Sequence, residues 1–339
     1  MKKIFIRSPY FIQINETGQL GSKVELYLYN KGESVPTSPT YILSKKIAST
    51  TQTENTYNIA NYAKEYIKPV ASFPVIDIAS ENNNAWAYCL VKTYTELTAN
   101  TYTLLDEETF VCLNGYTNYI GGYNNFNDES LVVLANPDIK IYKDSSNIYI
   151  NVFTDVTTST EILWYNDTDS FDADIDEPFL LKLPITDLGL WNLEFDGNTY
   201  TFNVEELCEP KYTPIKCTFI NRFGGWQYLT FFKANLQSIE TTNKDFNLLP
   251  SSIDYNPLQG QKRTFNQQGK QKIKCNTGWV DENYFDLIQD LLLSEVVLLD
   301  DKPVIVKTQS SERKTHLKDK NINYEIEFEY NFGLINDVI

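Results

Sequence analysis

The chain opens with short runs of strand-forming residues at regular spacing. Lys3 to Ile14, Lys23 to Asn30 and Thr40 to Lys45 are parted by Thr17-Gly18, Lys31-Gly32, Pro36 and Pro39, residues that break strands and make turns. Ile59, Tyr62, Ala63, Tyr66 and Ile67 then recur at i, i+3, i+4, i+7 and i+8, which predicts a short amphipathic helix halted before Pro69. Two longer strands are expected near Ala85 to Leu97 and Glu108 to Tyr116. Together these elements predict an immunoglobulin-like or fibronectin-type sandwich with one inserted helix.

The cluster Gly121-Gly122-Tyr-Asn-Asn-Phe-Asn-Asp128 reads as a linker or exposed loop and marks the first boundary. Beyond it strands repeat about every ten residues: Leu131 to Leu134, Ile139 to Lys143, Ile148 to Phe153, Glu161 to Tyr165 and Phe179 to Leu183. The series closes in a hairpin, Trp191 to Phe195 and Thr199 to Val204, around Asp196-Gly197-Asn198, where glycine supplies the positive φ of a tight turn.

The last third differs in kind. Strands at Ile215 to Asn221 and Trp226 to Phe232 flank Arg222-Phe-Gly-Gly225, and a polar, basic stretch runs from Gln259 to Lys274, with a composition that predicts no order of its own. A helix is expected at 281–294, with Tyr284, Ile288 and Leu291 on one face and Asp281 and Glu282 at the favourable end of its dipole. A hairpin at Val296 to Leu299 and Val304 to Lys307 turns at Asp300-Asp-Lys-Pro303. Finally Ile322, Tyr324, Ile326, Phe328 and Tyr330 alternate with Asn323, Glu325, Glu327 and Glu329, the pattern of a half-buried antiparallel strand. The expected fold is mainly β: tandem sandwiches over 1–125 and 126–208, followed by a β-rich α+β domain over 209–339. At 339 residues the chain is long enough for two or three cores.

Composition agrees, with 23 Tyr and 19 Phe against a single Met. The net charge of −16 opposes a nucleic-acid surface, which needs clustered cations. Its distribution matters more. From Leu104 to Glu209 there are roughly 21 acids against 3 bases, whereas from Pro210 to Val280 bases outnumber acids about three to one. Opposed charge on one subunit suits head-to-tail packing of identical copies, although two domains with unrelated soluble surfaces would carry it as well.

Catalytic chemistry has little to work with. The only histidine, His316, lies in the polar run Ser310 to Lys320, so no triad or zinc site is expected around it. Cys89, Cys112, Cys208, Cys217 and Cys275 form no CxxC pair and are expected as reduced, buried thiols. The acidic run Asp167 to Glu177 fails the calcium-loop template: counting from Asp172, Glu177 stands where glycine should turn the loop and Leu183 where a bidentate glutamate should be. It is expected as a solvated acidic loop. Paired carboxylates for glycoside hydrolysis leave no sequence signature, and nothing selects a pair. Trp86, Trp164 and Trp191, which could stack on sugars, fall in predicted strands where core packing is the commoner fate. Neither a GxxxxGK[ST] nor a GxGxxG run occurs, and no cofactor is expected. The opening residues lack a signal-type apolar run, and no apolar stretch approaches a membrane span, so the protein is expected to stay in the cytoplasm that makes it until assembly.

The most distinctive local feature is the turn Asn221-Arg-Phe-Gly-Gly-Trp226. With the helix near Trp279, the Val-Val-Leu-Leu hairpin and the closing Tyr-Glu-Ile-Glu-Phe-Glu-Tyr strand, it resembles virion structural proteins of tailed bacteriophages that infect Bacteroidetes, the crAss-like group included. The opening Ile-Arg-Ser-Pro-Tyr-Phe-Ile is similar to the same set, and the resemblance covers about half the chain. It implies a non-enzymatic tail, collar or baseplate component of the virion, present in several copies as a ring. The implied partners are further copies of itself, other tail, collar or portal proteins, and tail fibres. The acidic middle sandwich has no counterpart in the resemblance. Candidate interface residues are Arg222, Phe223 and Trp226 in the turn, and Lys262, Arg263, Lys270, Lys272 and Lys274 in the basic stretch. The alternative reading is a receptor- or carbohydrate-binding tail adhesin.

Overall fold

The computed structural model describes residues 2–30, 32–49, 52–69, 79–81, 86–117, 131–132, 138–141, 148–154, 160–175, 179–195, 197–206, 211–249, 253, 256, 258, 260–280, 282, 284–310 and 322–335. The chain is mainly β, with 23 strands and two short helices among these residues, and it divides into two compact units, 1–206 with 220–227 and 207–219 with 228–339. The boundaries expected near 125 and 208 fall outside the described residues, as do Cys208 and His316.

The first unit begins with β1 (Lys2–Phe5), β2 (Phe11–Ile14), β3 (Gly21–Tyr29), β4 (Tyr41–Lys46), β5 (Asn55–Asn58), α1 (Ala60–Tyr66), β6 (Ala79–Glu81), β7 (Trp86–Thr98) and β8 (Thr101–Leu113). Five of these strands form one sheet in the order β1-β8-β7-β3-β4, with β1 parallel to β8 and the other neighbours antiparallel. One face of this sheet presents Ile4, Val24, Leu26, Leu28, Ala87, Cys89, Val91 and Phe110 to a second layer. That layer is the antiparallel pair β2–β5, through Ile14 and Tyr57, together with Ala63 of α1 and the flanking Ile59 and Ile67. The helix forms where the 3.6-residue periodicity placed it, and Ala60 and Ala63 are its buried positions.

A second sandwich follows: β9 (Leu131–Val132), β10 (Asp138–Ile141), β11 (Ile148–Thr154), β12 (Thr160–Tyr165), β13 (Ser170–Ile175), β14 (Phe179–Ile185), β15 (Gly189–Phe195) and β16 (Asn198–Glu206). They make one sheet in the order β10-β16-β15-β12-β13 and another in the order β6-β14-β11-β9. Trp164 and Trp191 stack at 4.8 Å between ring centroids, Phe202 meets Trp164 edge-on at 5.5 Å, and all three are fully buried. Each buried indole nitrogen donates to a backbone carbonyl, Trp164 Nε1 to Pro184 O at 2.6 Å and Trp191 Nε1 to Asp187 O at 3.0 Å. The hairpin between β15 and β16 forms as expected, with Gly197 at φ 73°.

One expectation here is corrected. The acidic run is not a loop over 170–175 but a strand, β13, paired antiparallel to β12 at the sheet edge. Its alternation explains this: Phe171 and Ala173 are half-buried, Phe171 lying 6.3 Å from the Trp191 ring, while Asp172 and Asp174 are exposed. Dense carboxylates masked a period-two pattern.

The second unit is built on one seven-stranded sheet, β18-β17-β21-β22-β23-β20-β19, from β17 (Ile215–Ile220), β18 (Trp226–Phe231), β19 (Leu236–Asn247), β20 (Lys262–Val280), β21 (Val297–Leu299), β22 (Lys302–Val306) and β23 (Ile322–Gly333). Helix α2 (Tyr284–Leu293) covers one face, packing Tyr284, Leu287, Ile288 and Leu291 against Phe219, Phe231, Cys275, Ile326 and Phe328. The alternation in β23 is as predicted, with Ile322, Tyr324, Ile326 and Phe328 buried. The basic stretch is corrected too: residues 262–274 are part of the longest strand of the described chain, 19 residues of β20 held between β19 and β23. Cross-strand partners distant in sequence order a segment whose own composition does not.

Candidate interaction surface

Beyond Gly269 the seven-stranded sheet narrows to two strands. β20 pairs with β23 only from Lys270 onward, whereas its pairing with β19 runs from Lys274 out to Lys262, and Leu248 N continues the ladder by donating to Gln261 O at 2.7 Å. All 12 residues of β19 and residues 262–268 of β20 are exposed, so the segment is a two-stranded ribbon open on both faces. A bulge between Thr242 and Lys244 is accommodated by Asn266 at φ 51°, a left-handed conformation that asparagine tolerates.

At its base the ribbon carries a ladder of ion pairs. Lys270 and Lys307 hold Glu329 at 3.1 and 3.0 Å, Lys272 meets Glu240 at 2.7 Å and Glu327 at 3.7 Å, and Lys274 pairs with Glu325. These hydrogen bonds hold the carboxyls of Glu329, Glu240 and Glu325 below the usual carboxylate range, and the bond that Lys272 donates to Glu240 raises Lys272. Three of the lysines expected at an interface, Lys270, Lys272 and Lys274, are therefore already matched within their own sheet. The cause is invisible in local sequence, because the acids sit on β19 and β23.

Farther out the matching stops. Phe246 lies across from Arg263 and Lys244 across from Phe265; residues two apart on a strand share a face, so all four stand together. The two rings meet edge-on at 5.6 Å and remain 43% and 48% exposed. Among the described residues Lys244, Lys262 and Arg263 have no acidic partner. Beyond the strands Leu249, Ile253 and Leu258 are each at least 90% exposed. Cationic and apolar side chains at the end of a ribbon with no core of its own are what a protein-contact element presents.

The turn residues take other places. Asn221 N donates to Gly225 O at 2.9 Å, and its side-chain oxygen accepts from Phe223 N and Gly225 N, both at 3.0 Å. Gly224 sits at φ 90° with Asn114 N only 2.8 Å from where a Cβ would lie. Arg222 O accepts from Tyr116 N at 2.8 Å, the Arg222 guanidinium covers the Phe223 ring at 4.8 Å, and Phe223 stands 6.5 Å from Phe5. Trp226, at 1% exposure, is a core residue with no surface to offer. The close glycines and the Asn221 side chain give this turn a structural explanation.

Other polar clusters also serve the fold. Glu96 is buried and accepts from Lys46 and from Asn100 N, and these bonds hold its carboxyl below the usual range. Glu25 accepts from Lys23, Tyr27 and Tyr94, and burial with the Glu25 bond pushes the Tyr94 hydroxyl up to about 12. Among the described residues no group of three or more His, Cys, Asp or Glu is placed to hold a metal, and no helix is long and apolar enough to cross a membrane. Trp86, Trp164 and Trp191 are all buried, so none offers a ring to a sugar. No protein-family model and no curated protein matches the chain.

Proposed function

We propose that the chain is a multi-copy structural protein of a bacteriophage tail, a ring or collar component that holds neighbouring tail proteins together. The observation that carries this reading is the exposed β19–β20 ribbon, whose outer half bears unmatched cations and paired aromatics, with bare aliphatic side chains just beyond its strands. Such a ribbon is marginal by itself in water, and burial against a partner supplies the missing stabilisation. The phage context comes from the resemblance of the Asn221 to Trp226 turn, the Val296 to Leu299 hairpin and the closing strand to tail proteins. The acidic middle sandwich carries charge of opposite sign, which head-to-tail contacts between copies can use.

The test is the solution mass of the purified full chain together with cryo-electron microscopy of particles from its source. A symmetric ring in the virion tail is the expected result. Absence from every particle, with affinity for cell-surface polysaccharide on a glycan array, would overturn this reading in favour of a receptor-binding adhesin.

A further inference from the structure

The exposed face of the β12–β13–β15 sheet is built to the pattern of the ribbon with the sign reversed. Leu163 lies directly between Asp172 on β13 and Glu194 on β15, and one step along, Glu161 lies across from Asp174. Leu163 is half-buried, and the four carboxylates are exposed. None of the four has a basic partner among the described residues. Like charges directly across a strand pair destabilise it, so Glu161 beside Asp174 is an arrangement the sheet carries at a cost unless a cation covers it.

The ribbon offers the complement. Its Lys244, Phe246, Phe265 and Arg263 form a two-by-two block in which each cation faces a ring. Glu161, Leu163, Asp174 and Asp172 form a two-by-two block of three carboxylates and one aliphatic side chain, with Glu194 on the other side of Leu163. Both blocks stand on β lattices, with about 4.8 Å between strands and about 6.7 Å between residues on one face, so the diagonal pair Lys244 and Arg263 spans the same separation as the diagonal pair Glu161 and Asp172. Phe246 and Phe265 would cover Leu163 while Lys244 and Arg263 reach the carboxylates on either side.

We infer that the outer ribbon of one copy docks on the acidic β12–β13–β15 face of a second copy, with Lys244 and Arg263 meeting Glu161, Asp172, Asp174 and Glu194 around an apolar centre. The two patches differ, so the contact is heterologous: each copy gives a ribbon to one neighbour and a face to another, which closes as a ring or extends as a filament. The inference rests on the reading of the chain as a multi-copy assembly subunit. β13 is also a sheet edge, and its two exposed acids, Asp172 and Asp174, keep it from pairing indiscriminately with other strands.

The experiment is sedimentation of the full chain as wild type, as the ribbon variant K244E/R263E, as the face variant D172K/D174K, and as an equimolar mixture of the two variants. Wild type is expected to self-associate, more weakly when salt is raised from about 50 to about 500 mM, because the contact is charged and exposed. Each variant alone is expected to associate at least about tenfold more weakly, and the mixture to regain association, since the face variant's intact ribbon meets the ribbon variant's intact face and the two reversed patches meet each other. If charge reversal lowers the melting temperature, K244Q/R263Q is the substitute, with a smaller loss expected. Wild type that stays monomeric at the highest concentration reached, a ribbon variant that associates as wild type does, or a mixture that regains nothing would each overturn the inference. Microscopy of the particles keeps the two readings apart: a tail ring built on other contacts sinks only this inference, whereas absence from the particles sinks the tail reading itself.

Discussion

Replacing Gly115 by alanine tests whether the Asn221 to Trp226 turn is held by close backbone approach. Gly115 is not in a left-handed conformation, so alanine brings no torsional penalty, and the whole effect is steric. A Cβ at this position would lie 2.4 Å from Arg222 O and 2.5 Å from a Phe5 ring carbon. Neither neighbour gives easily: Arg222 O is fixed by Tyr116 N at 2.8 Å, and Phe5 is 4% exposed. Forcing a methyl group into a packed site costs about 1–3 kcal/mol. Losing the Tyr116–Arg222 hydrogen bond adds about 1 kcal/mol, giving about 3 kcal/mol in all. For a unit of about 200 residues that corresponds to a fall of roughly 6–12 °C in melting temperature. Tryptophan fluorescence suits the measurement, because Trp86, Trp164, Trp191 and Trp226 are buried in the first unit while Trp279, in the second, is 70% exposed. G115A that melts within about 1 °C of wild type would refute close approach as the reason for glycine here.

Three further outcomes are expected. G197A, where φ is 73° and nothing lies within 4 Å of the added methyl, costs about 1–2 kcal/mol from torsion alone, read as a fall of roughly 2–8 °C in the melting temperature of the first unit. Glu329 is held below its unfolded value by Lys307 and Lys270, so its contribution to stability is full above the unfolded pKa of about 4.3 and disappears as pH falls through the lower folded value. Amide protection along β20 and β23 should therefore drop below about pH 4 in wild type and depend less on pH in E329Q; equal pH dependence would remove the ladder from the account. Cys89, Cys112, Cys217 and Cys275 are buried, with Cys275 pushed up to about 12 by burial and Cys217 raised by burial beside Cys275. At most one of the five thiols should react with a disulfide reagent at pH 8 before unfolding, and all five after it.

Local signals in the chain were sufficient for most elements. The period-two alternation of Ile322 to Tyr330, the glycine of the β15–β16 hairpin and the helical spacing of Ile59 to Ile67 each specify structure through contacts a few residues apart, and each element forms where expected. The charge asymmetry between the middle and the basic stretch was legible in the same way. What the sequence could not decide depends on partners far along the chain. Asp172 and Asp174 belong to a strand because β12 offers an edge and Trp191 a ring for Phe171. Lys262 to Lys274 are ordered because β19 pairs along them and β23 adds the acids that match Lys270, Lys272 and Lys274. Composition alone cannot separate those three neutralised lysines from Lys244 and Arg263, which keep their charge exposed. That division, and with it the part of the basic stretch left for a partner, is set by sheet register, a property of paired strands rather than of any one segment.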